Sequence, residues 1–276
     1  MSERARFVSF LSDYGRVDEF VGVCHAVMLD VAPDLRVIDI THDVPPFDVR
    51  AGALTLVRSV QYLPEGVVLA VVDPGVGTER RCIAVEVENG FLVGPDNGLL
   101  APSVAMLGGA RTVVSLTNPD FQLASPGETF AGRDVMAPAA AHLATGVAIT
   151  DLGDVVDATS LVPGLLPLPS EEEASFVGEV LWVDRFGNCQ TNIDPDLLAL
   201  RGVRVGDSVE LGYGDKTRLA RWVPAFAEAK PSEAVVLVDS YGLLAVALDQ
   251  RSAAQDLGLK AGTKITISFD PAAANR

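Results

Sequence analysis

The sequence is short of the residues that metal sites and disulfide frameworks need. It contains three cysteines and three histidines in 276 residues. Cys24, Cys82 and Cys189 are odd in number and scattered, so their spacing favours neither a zinc site nor a set of disulfides. No two histidines form the His-x-x-x-His pair of a helical metal site. We therefore expect reduced thiols, a cytoplasmic location and no metal or other cofactor.

Positive charge and long apolar runs are also scarce. Lys and Arg number 21 against 37 Asp and Glu, which gives a net charge of −16. Such an acidic chain is a poor partner for nucleic acid or for an anionic membrane surface. No apolar run approaches the ~20 residues of a membrane-spanning helix. No apolar signal region follows the charged start, so we expect no secretory leader.

What the sequence does contain is a patterned apolar fraction. The composition is 49% hydrophobic and 21% charged, as in globular proteins with a sizeable core. From residue 6 to about residue 150, short apolar runs alternate with amphipathic segments. This alternation predicts an α/β domain, a mostly parallel sheet covered by helices. The predicted strands are 7–11, 37–40, 67–72, 82–87, 91–93 and 111–116, and the predicted helices are 18–31, 49–60 and 135–143.

The pattern changes after a segment rich in proline and acidic residues. Such a composition predicts a stiff, solvated linker. Beyond it the sequence is nearly all short strands at regular spacing, which is typical of a small β-barrel or sandwich. We therefore expect an N-terminal α/β domain over 1–162, a linker over 163–175 and a C-terminal β domain over 176–276. The predicted strands of the β domain are 176–183, 208–212, 218–223, 235–238, 243–247 and 264–269.

The first candidate site lies where the apolar run 67–72 ends at Asp73, which a Pro-Gly turn follows. Open α/β sheets bind ligands at the carboxyl ends of their parallel strands. Arg80 and Arg81 stand close enough to fold back and hold the carboxylate ionised. An ordinary strand end with a structural Asp–Arg pair is an equal alternative. The glycines here match neither a dinucleotide fingerprint nor a phosphate loop.

Six other motifs precede or follow this stretch along the chain. They are FLSDYG at 10–15, IDITHDV at 38–44, GPDNGLL at 94–100, TFAGRD at 129–134, DRFGN at 184–188 and TNI at 191–193. Together they resemble the S-adenosylmethionine (SAM) hydroxide adenosyltransferases, relatives of the fluorinating and chlorinating enzymes. The resemblance runs from about residue 7 to residue 269. It implies the same two-domain plan and a homotrimer whose sites lie between one subunit's first domain and its neighbour's second.

The resemblance assigns the ribose end of the substrate to the first domain. Asp13 matches a carboxylate that accepts hydrogen bonds from both ribose hydroxyls. Its alternative role is the N-cap of a helix. Phe47 matches an aromatic ring beside the ribose and the sulfonium cation. Its alternative role is a hydrophobic staple for the helix that follows.

The resemblance assigns the methionine end to the second domain. Asp184 matches the carboxylate that takes the methionine amine. Ser240 and Tyr241 match the residues that take the methionine carboxylate, through their backbone and the Ser240 hydroxyl. The halogenating relatives have arginine where Tyr241 stands, so the backbone role is favoured. An ordinary β-turn is the alternative for each residue taken singly.

The adenine end is assigned to the second domain as well. Phe186 and Phe226 match aromatic rings that pack on adenine. Asn188 offers a donor and an acceptor to a purine edge. Here too, a turn is the alternative for each residue taken singly.

The implied reaction is displacement at the 5′ carbon of the ribose by water or hydroxide, which yields adenosine and methionine. Family members place and deprotonate the water with Asp, Arg and His. Asp73 and Arg80 match the first two, but Ala131 stands at the histidine position. We therefore expect a SAM hydrolase whose turnover is reduced by Ala131. A catalytically silent SAM- or adenosine-binding protein is the alternative, and a halogenase ranks lower because Asp73 would repel a desolvated halide.

Overall fold

The computed structural model describes residues 7–164 and 166–269. The chain divides into two compact units between Leu166 and Pro167. This boundary falls inside the segment that the sequence predicts as a linker. Within the described residues, no helix has the length and apolarity that a membrane crossing needs.

The first unit contains a seven-stranded sheet. Its strands are β1 (Phe7–Ser12), β2 (Arg36–Thr41), β3 (Gly66–Val71), β4 (Cys82–Val87), β5 (Gly90–Pro95), β6 (Thr112–Ser115) and β7 (Asp154–Val155). They lie in the order β2-β1-β3-β5-β4-β6-β7. β2, β1, β3 and β5 pair in parallel, whereas β4 and β7 run the other way. The predicted strands 82–87 and 91–93 correspond to β4 and β5, which form an antiparallel hairpin.

Helices cover both faces of this sheet. They are α1 (Phe20–Val31), α2 (Val49–Ser59), α3 (Ala101–Met106) and α4 (Ala137–Thr145). Val67, Leu69 and Val71 of β3 join the core that α1 and α4 cover, and Val68 and Ala70 join the core on the side of α2 and α3. A strand buried on both faces has to be apolar at every position, which explains the continuous apolar run before Asp73.

The predicted helix 135–143 has an irregular start. A π-helix, Gly132–Met136, precedes α4. Pro138 falls in the first turn of α4, where proline is tolerated because that turn needs no hydrogen bond from its N–H. Single π-turns occur often at functional sites, and this one begins directly after Ala131.

The second unit is a closed seven-stranded β-barrel. Its strands are β9 (Ser175–Val183), β10 (Cys189–Thr191), β11 (Ser208–Tyr213), β12 (Lys216–Trp222), β13 (Ala234–Val238), β14 (Leu244–Leu248) and β15 (Lys264–Ser268). The pairing of β9 with β10 closes the barrel. The sequence left barrel and sandwich open, and the structure selects the barrel.

Several short elements of the second unit depart from the prediction, and β10 is one of them, because no predicted strand covers it. β8 (Ser170–Glu172) pairs with β9, so this part of the predicted linker is an edge strand. α5 (Pro195–Leu200) and α6 (Ala253–Leu257) interrupt the expected succession of strands. Each of the two helices is too short to show a helical period, although Asp194 and Ser252 cap them as N-cap residues should.

Candidate active site

Asp73 and Arg80 form a buried ion pair at the carboxyl end of β3. The Arg80 Nε donates to Asp73 Oδ1 at 2.8 Å, and Nη2 donates to Oδ2. Their side chains are only 6% and 13% exposed, respectively. Burial acts to lower the pKa of Arg80, but its hydrogen bonds to Asp73 and the nearby Cys82 thiol raise that pKa overall. The bidentate geometry fixes both the position and the orientation of the carboxylate.

The loop between the two residues is shaped to bring them together. The Val76 N–H donates to the Asp73 carbonyl at 3.3 Å, and Thr78 Oγ1 donates to the Gly75 carbonyl at 2.6 Å. A Cβ on Gly75 would lie 3.2 Å from Cγ of Arg80, so glycine lets the arginine fold back closely. Asn97 Nδ2 donates to the carbonyl of Val72 at 2.9 Å and anchors the strand end.

Arg81 does not join the pair, which corrects the expectation that both arginines turn back to Asp73. Its Nε donates to Asp96 Oδ2 at 3.0 Å, and its Nη2 donates to the Ser160 carbonyl at 2.8 Å. Asp96 Oδ1 also accepts from the N–H of Val162 at 2.9 Å. Consecutive residues in an extended chain point to opposite sides, so only one of the two arginines faces Asp73.

Asp13 lies at the same sheet edge as Asp73. β1 and β3 are parallel neighbours, and the Asp13 N–H donates to the Val71 carbonyl at 3.3 Å. Asp13 Oδ2 accepts from the N–H of Phe47 at 2.8 Å. The helix-capping alternative for Asp13 is wrong, because α1 begins at Phe20. Its carboxylate instead fixes the Phe47 loop.

Phe47 is held outward in an unusual backbone conformation. The φ angle of Phe47 is 68°, and the residue is 73% exposed to solvent. For a non-glycine residue this conformation costs on the order of 1–3 kcal/mol. Asp48 caps α2 by accepting from Ala51 N at 2.9 Å, and the position that a staple would contact is Gly52. Glycine offers no side chain to a staple, so the staple alternative lacks its partner and the ring stays exposed.

Ala131 lies beside a residue that the sequence reasoning missed. Tyr14 follows Asp13, and its hydroxyl reaches the backbone of Gly132, where a Cβ would overlap it. The Tyr14 ring meets Phe130 edge-on at 5.6 Å and Phe20 at 5.7 Å between centroids. A contact between residues 14 and 132 leaves no local pattern, so only the tyrosine within FLSDYG could have signalled it.

A second polar cluster lies behind Asp13. His25 Nε2 and His42 Nε2 approach Asp39 Oδ1 at 2.9 and 3.1 Å, and His42 Nδ1 lies 2.8 Å from Ser12 Oγ. Burial opposes the effect, but hydrogen bonding and charge from the two histidines lower the pKa of Asp39. The ligand atoms of His25, Asp39 and His42 lie within 4.8 Å of one another, so these side chains could hold a metal ion. The expectation of a metal-free protein stays a prediction.

Asp184 and Asn188 close a tight turn between β9 and β10. Asp184 Oδ1 accepts from the N–H groups of Phe186 and Asn188 at 2.9 and 2.8 Å. Asp184 Oδ2 accepts from Asn188 Nδ2 at 2.8 Å. The structure therefore contains the turn that the sequence offers as an alternative role for these residues. A carboxylate has about four acceptor positions, so this turn leaves capacity for a ligand amine.

Ser240 and Tyr241 share the turn between β13 and β14. The Tyr241 N–H donates to Asp239 Oδ1 at 2.8 Å, and Gln190 of β10 donates to Asp239 Oδ2. Ser240 is exposed and Tyr241 is 43% exposed. Here too the side chain of an aspartate shapes the loop, and the turn presents its outer residues to solvent.

The two predicted adenine rings are also at the surface. Phe186 is 78% exposed and Phe226 is 51% exposed. Phe226 lies in the separate loop between β12 and β13, where it begins a 3₁₀ turn, Phe226–Glu228. Both rings therefore have most or about half of their surface open to a ligand, although the two lie in separate loops.

Comparison with known proteins identifies the relatives of this chain. Family models of the SAM hydroxide adenosyltransferase N-terminal and C-terminal domains match residues 8–153 and 178–266. The chain belongs to this family. It is 46% identical over 264 residues to an (R)-S-adenosyl-L-methionine hydrolase of Salinispora tropica, covering 95% of this chain and 97% of that protein. A hydrolase of the same name from Thermus thermophilus is 42% identical over 269 residues, with 95% and 99% covered.

More distant adenosyltransferase relatives and solved structures extend the comparison. A fluorinase of Actinoplanes is 29% identical over 289 residues, covering 95% of this chain and 97% of that enzyme. An uncharacterized conserved protein of Thermotoga maritima is 36% identical with a TM-score of 0.88, covering 95% of this chain and all of that one. A conserved hypothetical protein of Thermus thermophilus is 39% identical with a TM-score of 0.74, covering 94% and 98%. The relatives therefore include proteins named as hydrolases and a protein named as a fluorinase.

Proposed function

We propose that this protein hydrolyses SAM to adenosine and L-methionine by attack of water on the 5′ carbon of the ribose. The observation that carries the proposal is the buried Asp73–Arg80 pair at the same sheet edge as Asp13. Relatives 42–46% identical over nearly the whole chain, named (R)-S-adenosyl-L-methionine hydrolases, support it.

The first domain supplies the groups that the reaction needs. Asp13 accepts hydrogen bonds from the ribose hydroxyls and so places the 5′ carbon beside Asp73. The water oxygen bonds to that carbon while the carbon–sulfur bond breaks, and the bonding electrons pass to sulfur. Methionine leaves as a neutral thioether, so its departure needs no acid. Asp73 takes the proton that the water releases, and Arg80 orients the Asp73 carboxylate for that transfer.

The second domain supplies recognition in this proposal. Asp184 takes the methionine amine, and the Ser240–Tyr241 turn takes the methionine carboxylate. Phe186, Phe226 and Asn188 enclose the adenine; the exposure of both rings supports this role.

The proposed assembly is a homotrimer in which each site combines the first domain of one subunit with the second domain of its neighbour. Light scattering during ligand titration tests it. We expect a trimer that binds SAM, and a monomer that binds with full affinity would contradict the shared site.

The remaining expectations concern cofactors and location. SAM is the substrate in this reaction, so we propose that no cofactor takes part. The three cysteines are free thiols, which supports a cytoplasmic location. The net charge of −16 supports a small-molecule partner over nucleic acid or a membrane surface.

Timed incubation with SAM, followed by separation of nucleosides and amino acids, tests the activity. We expect adenosine and methionine in equal amounts. The second candidate, a catalytically silent SAM- or adenosine-binding protein, is favoured by one feature, the absence of a proton acceptor at Ala131. Bound SAM that stays intact after long incubation would support this candidate and exclude hydrolysis.

A further inference from the structure

We infer that the Tyr14 hydroxyl holds the attacking water in place, in the corner of the site where Ala131 stands in place of the family histidine. This inference rests on the proposed hydrolysis. Tyr14 would touch the reacting water directly, and Asp73 would remain the group that receives the proton.

The backbone brings Tyr14 to that corner. Tyr14 directly follows Asp13 at the end of β1, and its hydroxyl contacts the backbone of Gly132, the residue after Ala131. A Cβ on Gly132 would overlap the hydroxyl and would lie 3.1 Å from the ring carbon that carries it. The absence of a side chain at position 132 is therefore what admits the phenol. A longer side chain at position 131 would extend from the residue next to the one that this hydroxyl contacts.

Aromatic packing fixes the direction of the phenol. The rings of Phe20 and Phe130 lie 5.7 and 5.6 Å from the Tyr14 ring, and Phe130 meets it at an interplanar angle of 83°. Phe10 meets the ring edge-on from a third side at 6.5 Å. A ring held on several sides keeps its hydroxyl in one place, and this is what positioning a water molecule requires.

The charges around the hydroxyl are those of the site. Burial raises the pKa of Tyr14 well above its ordinary value, and Cys24 adds to the effect. Asp13 and Asp73 raise that pKa further, whereas Arg80 lowers it. At neutral pH the phenol is therefore uncharged, with one donor and two acceptor positions. It can accept a hydrogen bond from the water but cannot act as its base.

The experiment compares Tyr14→Phe with wild type under saturating SAM, with Tyr62→Phe as the control. Tyr62 is 70% exposed at the end of a 3₁₀ turn, and its hydroxyl has no part in the proposed site. Phenylalanine fills the same space as tyrosine, so we expect an unchanged melting temperature and KM. We expect kcat to fall about tenfold, the effect of one lost neutral hydrogen bond, and Tyr62→Phe to leave it unchanged.

The same change in an Ala131→His background separates a role in positioning from a role in packing. If the imidazole and the phenol serve one water, Tyr14→Phe will reduce kcat much less in that background. An equal reduction in both backgrounds, together with a lower melting temperature, would show a packing role and overturn the inference. So would equal kcat in wild type and Tyr14→Phe. If wild type binds SAM but releases no adenosine, the proposed function fails and this inference fails with it.

Discussion

The two domains present their site residues in opposite ways. Asp73 and Arg80 of the first domain are buried and fixed by a bidentate ion pair, with side chains 6% and 13% exposed. Phe186 and Phe226 of the second domain are 78% and 51% exposed. Groups that stabilise developing charge act best when the fold orients them in advance. Groups that recognise a ligand can stay at the surface until the ligand covers them.

The contacts that hold these residues in place also differ between the two domains. In the first domain several contacts are long-range, as between Asp13 and Phe47 or between Tyr14 and Gly132, although Asp73 and Arg80 are only seven positions apart. In the second domain most are local turns, as between Asp184 and Asn188, although Gln190 also reaches Asp239. Changes in the first domain should therefore affect the reaction or the ribose end, and changes in the second should affect affinity alone.

The largest expected effect is that of Asp73→Asn. The amide keeps the shape of the carboxylate but cannot take a proton, so single-turnover hydrolysis should fall by about 10²–10⁴ while affinity for SAM is retained. Asp96→Asn is the matched control, because Asp96 is also a buried carboxylate that pairs with an arginine, the partly exposed Arg81. Both variants should lose thermal stability, but only Asp73→Asn should lose the reaction. Undiminished adenosine release by Asp73→Asn would refute its role.

Ala131→His should raise turnover. A neutral imidazole can accept a hydrogen bond from the attacking water or relay its proton, and a gain of up to about 10² is expected. Ala131→Leu adds bulk without an acceptor and should give no gain. Single-turnover rates at saturating SAM decide the matter. Equal rates for wild type and Ala131→His would mean that the groups already present suffice for hydrolysis and that Ala131 does not impair it.

Asp13→Ala should weaken binding of adenosine more than it changes the reaction. The lost hydrogen bonds to a charged acceptor are worth roughly 1.5–3 kcal/mol. The Phe47 loop also loses the acceptor of its N–H, which adds to the effect. Calorimetric titration with adenosine measures it. Unchanged affinity would show that the ribose role assigned to Asp13 is wrong.

The smallest expected effect is that of Phe186→Ala. Loss of one stacking ring should weaken the binding of SAM by about 1 kcal/mol, and the rate at which bound SAM is hydrolysed should not change. Because the ring is exposed, stability should change by less than about 0.5 kcal/mol. Leu200→Ala, at a residue 83% exposed in α5, is the control and should leave affinity unchanged. A reduced single-turnover rate in Phe186→Ala would break the proposed division between the domains.

Much of the fold was predictable because apolar periodicity records burial. The run before Asp73 predicted β3 since both of its faces are covered. α3, α5 and α6 were missed because helices of five or six residues complete too few turns to show a period.

The site was predictable where its residues are close in sequence and not where they are distant. Asp73 and Arg80 are seven positions apart, and a turn signal lies between them. The contact of Tyr14 with Gly132 depends on tertiary packing, as does the approach of His25 to Asp39. Neither contact leaves a trace in local composition.

The most direct test of the central claim is hydrolysis of SAM in water enriched in oxygen-18, followed by mass spectrometry of both products. Attack of water at the 5′ carbon predicts adenosine that carries one heavy oxygen in its 5′-hydroxyl group and methionine that carries none. SAM that remains intact, or adenosine that forms without the label, would contradict the account.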